Sequence, residues 1–155
     1  MKINSQLTKE DYVKINYSLL RNRTMTRIVM AFYAILLVLG ILLALGGLLS
    51  ALIIPILGAT LTFWYYWWLV QKTANSKDNS KMFLPTSFEF NENGVKASNE
   101  IGKEECSWAA FVKYKKIAGH YLLFINSSNF YAIKESAIPD QESFETMLKE
   151  KIKTP

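Results

Sequence analysis

From Ile28 to Val70 the chain carries no Asp, Glu, Lys, Arg or His, a run of 43 residues with charged sequence on both sides. An α-helix rises about 1.5 Å per residue and the hydrocarbon of a bilayer is about 30 Å thick, so one crossing takes about 20 residues. The run is twice that length, which predicts two spans joined by a very short connection. Gly46, Gly47 and Ser50 sit at its midpoint, where a turn is needed. The expected element is a membrane helical hairpin over 28–70, with helices at about 28–45 and 52–70. A signal peptide would be much shorter. A buried core hairpin would need apolar cover that neither the 27 residues before the run nor the 85 after it can supply.

The flanks give an orientation. Arg21, Arg23 and Arg27 precede the first helix, Lys72, Lys77 and Lys81 follow the second, and the connecting turn is uncharged. Positive residues stay on the cytoplasmic side, so both termini are expected there, in a multi-pass protein of a bacterial cell membrane. The net charge of +5 is gathered at these flanks, which favours lipid headgroups over nucleic acid as its partner. Trp64, Tyr65, Tyr66, Trp67 and Trp68 end the second helix, and in a hairpin folded near residue 48 they are expected level with Phe32 and Tyr33 in an interfacial belt. A ligand or cation site on the Trp64, Trp67 and Trp68 face is the less favoured use of those rings. Gly40 with Ala44, and Gly58 with Thr62, have small-xxx-small spacing that suits close helix packing, inside one hairpin or between two. The absence of ionisable residues inside the spans argues against a proton path, a channel or a transporter site.

Outside the run, 1–27 is expected to hold a short strand over 2–7 and a helix over 8–22, begun by a Thr8/Asp11 capping box and carrying Tyr12, Ile15 and Leu19 on one face. Residues 71–81 read as a linker and 82–155 as a domain. Phe88 and Phe90 alternate with Glu89, and Asn93-Gly94 signals a hairpin with positive φ at both turn positions. Further strands are expected at 104–108, 111–115, 120–125 and 130–133, the last two joined through Asn126, Ser127, Ser128 and Asn129. A helix over 140–153 follows Pro139. It has an apolar stripe of Phe144, Met147, Leu148 and Ile152, acids early, and Lys149, Lys151 and Lys153 late. The fold class is a membrane hairpin plus an α+β domain, an antiparallel meander closed by a C-terminal helix.

Phe88-Glu-Phe90 stands before Asn93-Gly94, Cys106-Ser-Trp108 leads to Phe111-Val-Lys-Tyr114, then come Tyr121-Leu-Leu-Phe124, Phe130-Tyr-Ala-Ile133, and Ile138-Pro139 before the last helix. On these features the chain resembles the YcxB-like family of small bacterial membrane proteins. The resemblance implies a domain similar to bacterial PH-like domains, a bent antiparallel sheet (a half-barrel) closed by one helix. It carries over no catalytic residue and implies core positions for Trp108 and Phe124.

Chemistry is expected to be absent. His120 is the only histidine, lies at a predicted strand edge, and reads as a surface or turn residue. The one cysteine, Cys106, reads as a half-buried structural thiol, since only Lys103 stands near it in sequence to lower its pKa. Glu104 and Glu105 face opposite ways on a strand. Lys113, Lys115 and Lys116 around Tyr114 read as a solvated strand face. No metal or cofactor is expected, and none of the common phosphate-loop, zinc-protease or serine-elbow motifs occurs. The expectation is a non-enzymatic protein whose anchored domain binds a protein partner or another copy of itself. The alternative is self-protection against a bacteriocin or secreted toxin.

Overall fold

The computed structural model describes residues 1–21, 23–126 and 129–152; Ser127, Ser128 and Lys153 of the expectations above lie outside them. In chain order the elements are β1 (Lys2–Ser5), α1 (Lys9–Arg21), α2 (Thr24–Leu45), α3 (Ile53–Asn75), β2 (Thr86–Phe90), β3 (Gly94–Ser98), β4 (Lys103–Ser107), β5 (Lys113–Ile117), β6 (His120–Phe124), β7 (Phe130–Lys134) and α4 (Gln141–Lys151). They form two compact units, one of residues 1–15 with 76–155, the other of residues 16–75.

The second unit is the hairpin. Two of its helices are long and apolar enough to cross a membrane, and only 6% of each apolar window is buried. α2 begins four residues earlier than the uncharged run, so Arg27 lies in its first turn. α3 extends to Asn75, past the expected end of the span. Gly47, at φ 95°, turns the chain, and a 3-10 turn at Leu49–Leu52 leads into α3. Gly40 is the buried residue of α2. A Cβ there would stand 3.0 Å from the Ala51 carbonyl oxygen, so only hydrogen lets the turn fold back this closely.

The first unit is the β domain, and it departs from a six-strand meander. Among the described residues seven strands form a four-stranded sheet, β1-β2-β3-β4, and a three-stranded sheet, β5-β6-β7, all pairs antiparallel. β1 joins the domain rather than standing with a separate segment 1–27: Ile3 pairs with Phe88 and Ser5 with Thr86, so the apolar hairpin is an insertion between two neighbouring strands. Across the two sheets, the Lys134 amide donates to Ser5 Oγ at 2.9 Å. Alternation puts Phe88 and Phe90 inside and leaves Glu89 outside, 3.1 Å from Lys2. β6, central in its sheet, is buried at every position. Asp140 caps α4 by accepting from the Ser143 amide. Phe144 of that helix meets Phe90 and Tyr121 edge-on at 5.2 Å each, joining the sheets into one core.

The turns differ from expectation in an informative way. The β2–β3 connection is Asn91-Glu92-Asn93, closed by Gly94 as the first residue of β3, and neither Asn93 nor Gly94 has positive φ. Asn91 Oδ1 accepts from the amides of Asn93 and Gly94 at 2.9 Å each, and Asn91 donates its own amide to the Gly94 carbonyl. The β3–β4 loop, Asn99-Glu100-Ile101-Gly102, repeats the device bond for bond. The two-residue turn with both φ positive is Ala118 (52°) and Gly119 (72°), between β5 and β6. β5 begins two residues later than expected because Phe111 closes a 3-10 turn on Trp108.

Candidate functional site

The residues singled out in the hairpin fall into distinct groups. Tyr33 does not share the level of the Trp64–Trp68 cluster: its hydroxyl bonds Thr62 Oγ1 at 2.8 Å, and its ring lies against Gly58, where a Cβ would stand 3.1 Å away. A ring placed by helix packing therefore stands where an interfacial ring was expected. Phe32 is exposed beside it, 5.9 Å between ring centroids. Trp64, Tyr65, Trp67 and Trp68 are exposed, while Tyr66 meets Tyr17 edge-on at 6.0 Å. Lys72 Nζ sits 4.9 Å over the Trp68 ring. Arg21 ends α1, Arg23 precedes α2, and Lys77 and Lys81 lie in the 3-10 segment Lys77–Phe83. Ala44 lies in the last turn of α2, its carbonyl accepting from the Gly47 amide.

In the β domain, His120 is not a surface residue. It is 2% exposed, opening the central strand of its sheet. Its Nδ1 lies 2.9 Å from the Ala118 carbonyl, so that nitrogen carries the proton, and Nε2 lies 3.7 Å from Asp11 Oδ2. Lys134 Nζ is 3.9 Å from the same oxygen. Burial alone would raise the Asp11 carboxyl. The Thr8 hydroxyl bond, with His120 and Lys134, outweighs it and holds the group below its ordinary range. This cluster fixes the start of α1 on the domain, a structural task that the sequence concealed because its members lie on three separate elements.

Cys106 is half-buried with Sγ 3.5 Å from the Tyr131 hydroxyl. Burial, then the bonds to Cys106 and Glu104, push the Tyr131 hydroxyl far up, so it stays protonated. Trp108 is a core residue whose Nε1 donates to the Asn91 carbonyl at 2.9 Å, and Phe124 is buried too. Lys113 and Lys116 are not simply solvated: they sit 5.3 and 5.2 Å over the rings of Phe124 and Tyr121, and Lys116 pairs with Glu135.

The open concavity of the domain is a cavity of about 370 Å³ at the Thr86 end of β2, away from the Phe90 end that α4 covers. Phe88, Ala97 and Ala132 form its apolar floor, and Glu104 and Tyr131 stand on one wall. Lys81, Met82, Ile101 and Lys103 stand around it, all exposed. Four separate stretches of chain contribute, 5–7, 81–88, 97–104 and 130–132, so no local motif announces it. The groups present can bind a partly apolar ligand with negative charge.

Comparison with curated proteins and with solved structures gives no match. Residues 90–150, from the last residue of β2 into α4, match the model of the YcxB-like protein family, to which that stretch is similar.

Proposed function

We propose that this chain is a non-enzymatic protein of a bacterial cell membrane, crossing it twice and holding a small PH-like binding module at the cytoplasmic face. The observation that carries this reading is the pairing of β1 with β2 across the inserted hairpin, Ser5 opposite Thr86. Backbone-paired strands lie on one side of a bilayer, so the insertion crosses it an even number of times. Arg21, Arg23, Arg27, Lys72, Lys77 and Lys81 at both ends of the insertion favour the cytoplasmic side. Two antiparallel sheets with one closing helix support the PH-like reading. Beside the membrane lipids, its occupant is a protein partner or a second copy of the chain.

Topology is tested in Cys106→Ser cells with a membrane-impermeant maleimide. Ser50→Cys should label in intact cells and Glu92→Cys only after lysis; labelling of Glu92→Cys in intact cells overturns the orientation. Crosslinking of the full-length protein in cells should then give one dominant foreign protein or its own copies. A scatter of unrelated proteins would overturn the module.

A further inference from the structure

We propose that the open concavity of the β domain binds an anionic phospholipid, its phosphate held by Lys81 and Lys103 and its glycerol and first methylenes lying on the apolar floor around Phe88. The site presumes the membrane location proposed above and adds a ligand class to it.

The lining has the chemistry of an amphiphile's two ends. Lys81 and Lys103 both line the cavity, and among the described residues no ion pair engages either ammonium group. Each has an exposed apolar neighbour at the rim: Met82 beside Lys81 and, at the tip of the β3–β4 loop, Ile101 near Lys103, at 42% and 56% exposure. Cationic and apolar side chains alternating around one opening suit a headgroup–acyl boundary better than water, where the apolar members gain nothing from exposure. Glu104 is the carboxylate on the wall. It accepts a hydrogen bond from the Tyr131 hydroxyl and keeps its charge, so two lysines against one carboxylate leave the opening net positive. A phosphodiester answers that charge, and the floor below is apolar. Six residues of chain lead from Asn75, the end of α3, to Lys81, a contour of about 20 Å, so a hairpin seated in a bilayer keeps lipid at high local concentration around the site.

The test uses the full-length protein in phosphatidylcholine vesicles doped with a photoreactive phosphatidylglycerol, its diazirine close to the acyl ester, or with the matching phosphatidylcholine probe. After illumination the labelled peptides are mapped. The phosphatidylglycerol probe should mark the segments around Met82 and Tyr131 as well as the hairpin, and the phosphatidylcholine probe should mark the cavity segments about 25-fold less. Each lysine lost should lower cavity labelling about fivefold. The Lys81→Gln, Lys103→Gln double variant should therefore fall to the phosphatidylcholine level, with labelling of α2 and α3 unchanged and parent-like resistance to pulse proteolysis showing the domain folded. A labelled hairpin with an unlabelled cavity overturns this inference and leaves the membrane reading standing. Equal labelling by the two lipids, or a double variant that labels like the parent, also overturns it. An unlabelled hairpin overturns the membrane reading and this site with it.

Discussion

Gly94 and Gly102 occupy the same place in two loops of the same design, so replacing each by alanine separates local conformation from surroundings. Neither has positive φ, so alanine suits both backbones. At Gly102 a Cβ meets nothing within 4 Å. Alanine there restricts the unfolded chain and should be neutral or stabilising by about 0.5 kcal/mol. At Gly94 the Cβ would fall 2.1 Å from the Cys106 carbonyl oxygen and 2.8 Å from Ser107 Cα, both backbone atoms. Reaching 3.0 Å means opening β3 from β4 by about 0.9 Å, which lengthens ladder bonds of about 2.9 Å beyond hydrogen-bonding range. Two such bonds lost, each with a group left unsatisfied, cost about 2–4 kcal/mol. Pulse proteolysis of the full-length protein in micelles, across a urea series, reads the folded fraction of the domain. With a slope of about 1.5 kcal/mol/M, Gly94→Ala should lower the midpoint by roughly 1.3–2.7 M, while Gly102→Ala leaves it in place or raises it slightly. Equal shifts for the two variants would refute the close approach as the reason for Gly94.

Tyr33→Phe keeps the ring against Gly58 and removes the bond to Thr62, so the hairpin should lose about 0.6 kcal/mol, read as an earlier transition in an SDS titration of the purified protein. Asp140 accepts from the amide and hydroxyl of Ser143, which holds its carboxyl below the ordinary range. A carboxyl lowered on folding adds stability above its unfolded pKa of about 3.9, and that stability is lost as pH falls through the folded value. The domain should therefore unfold at lower urea on acidification below about pH 4, and Asp140→Asn should flatten that dependence.

The elements legible in the sequence are those whose signal is local. The uncharged run, the Thr8–Asp11 cap, the Phe88/Phe90 alternation and the stripe of the last helix each lie within a few turns of chain, and each forms as read. What escaped depends on distant partners. Lys2–Ser5 is strand-like on its face, but nothing nearby says that it pairs with residues 86–89. Asn93-Gly94 carries the dipeptide of one turn and makes another, because the demand on Gly94 comes from Cys106 across the sheet. Ala118-Gly119 makes the positive-φ turn without the Asn that advertises it. His120 is concealed for the same reason, its burial coming from a central strand and Asp11 from a helix more than a hundred residues earlier.

The split between β1 and β2 sets a timetable for the growing chain. Ser5 leaves the ribosome 81 positions ahead of its partner Thr86. At about 5–20 residues per second it waits roughly 4–16 s. On the proposed membrane reading, the whole apolar hairpin emerges and enters lipid in that interval. A hairpin that folds back on itself through Gly40 and Tyr33 brings its two ends together, so the strands meet without the entropy cost of closing a long loose loop. Translocation and domain assembly thereby become one sequence of events. A chain whose hairpin fails to insert leaves the outer edge of β2 without its neighbour, an open strand with Phe88 and Phe90 beside it, ready to aggregate or to be degraded.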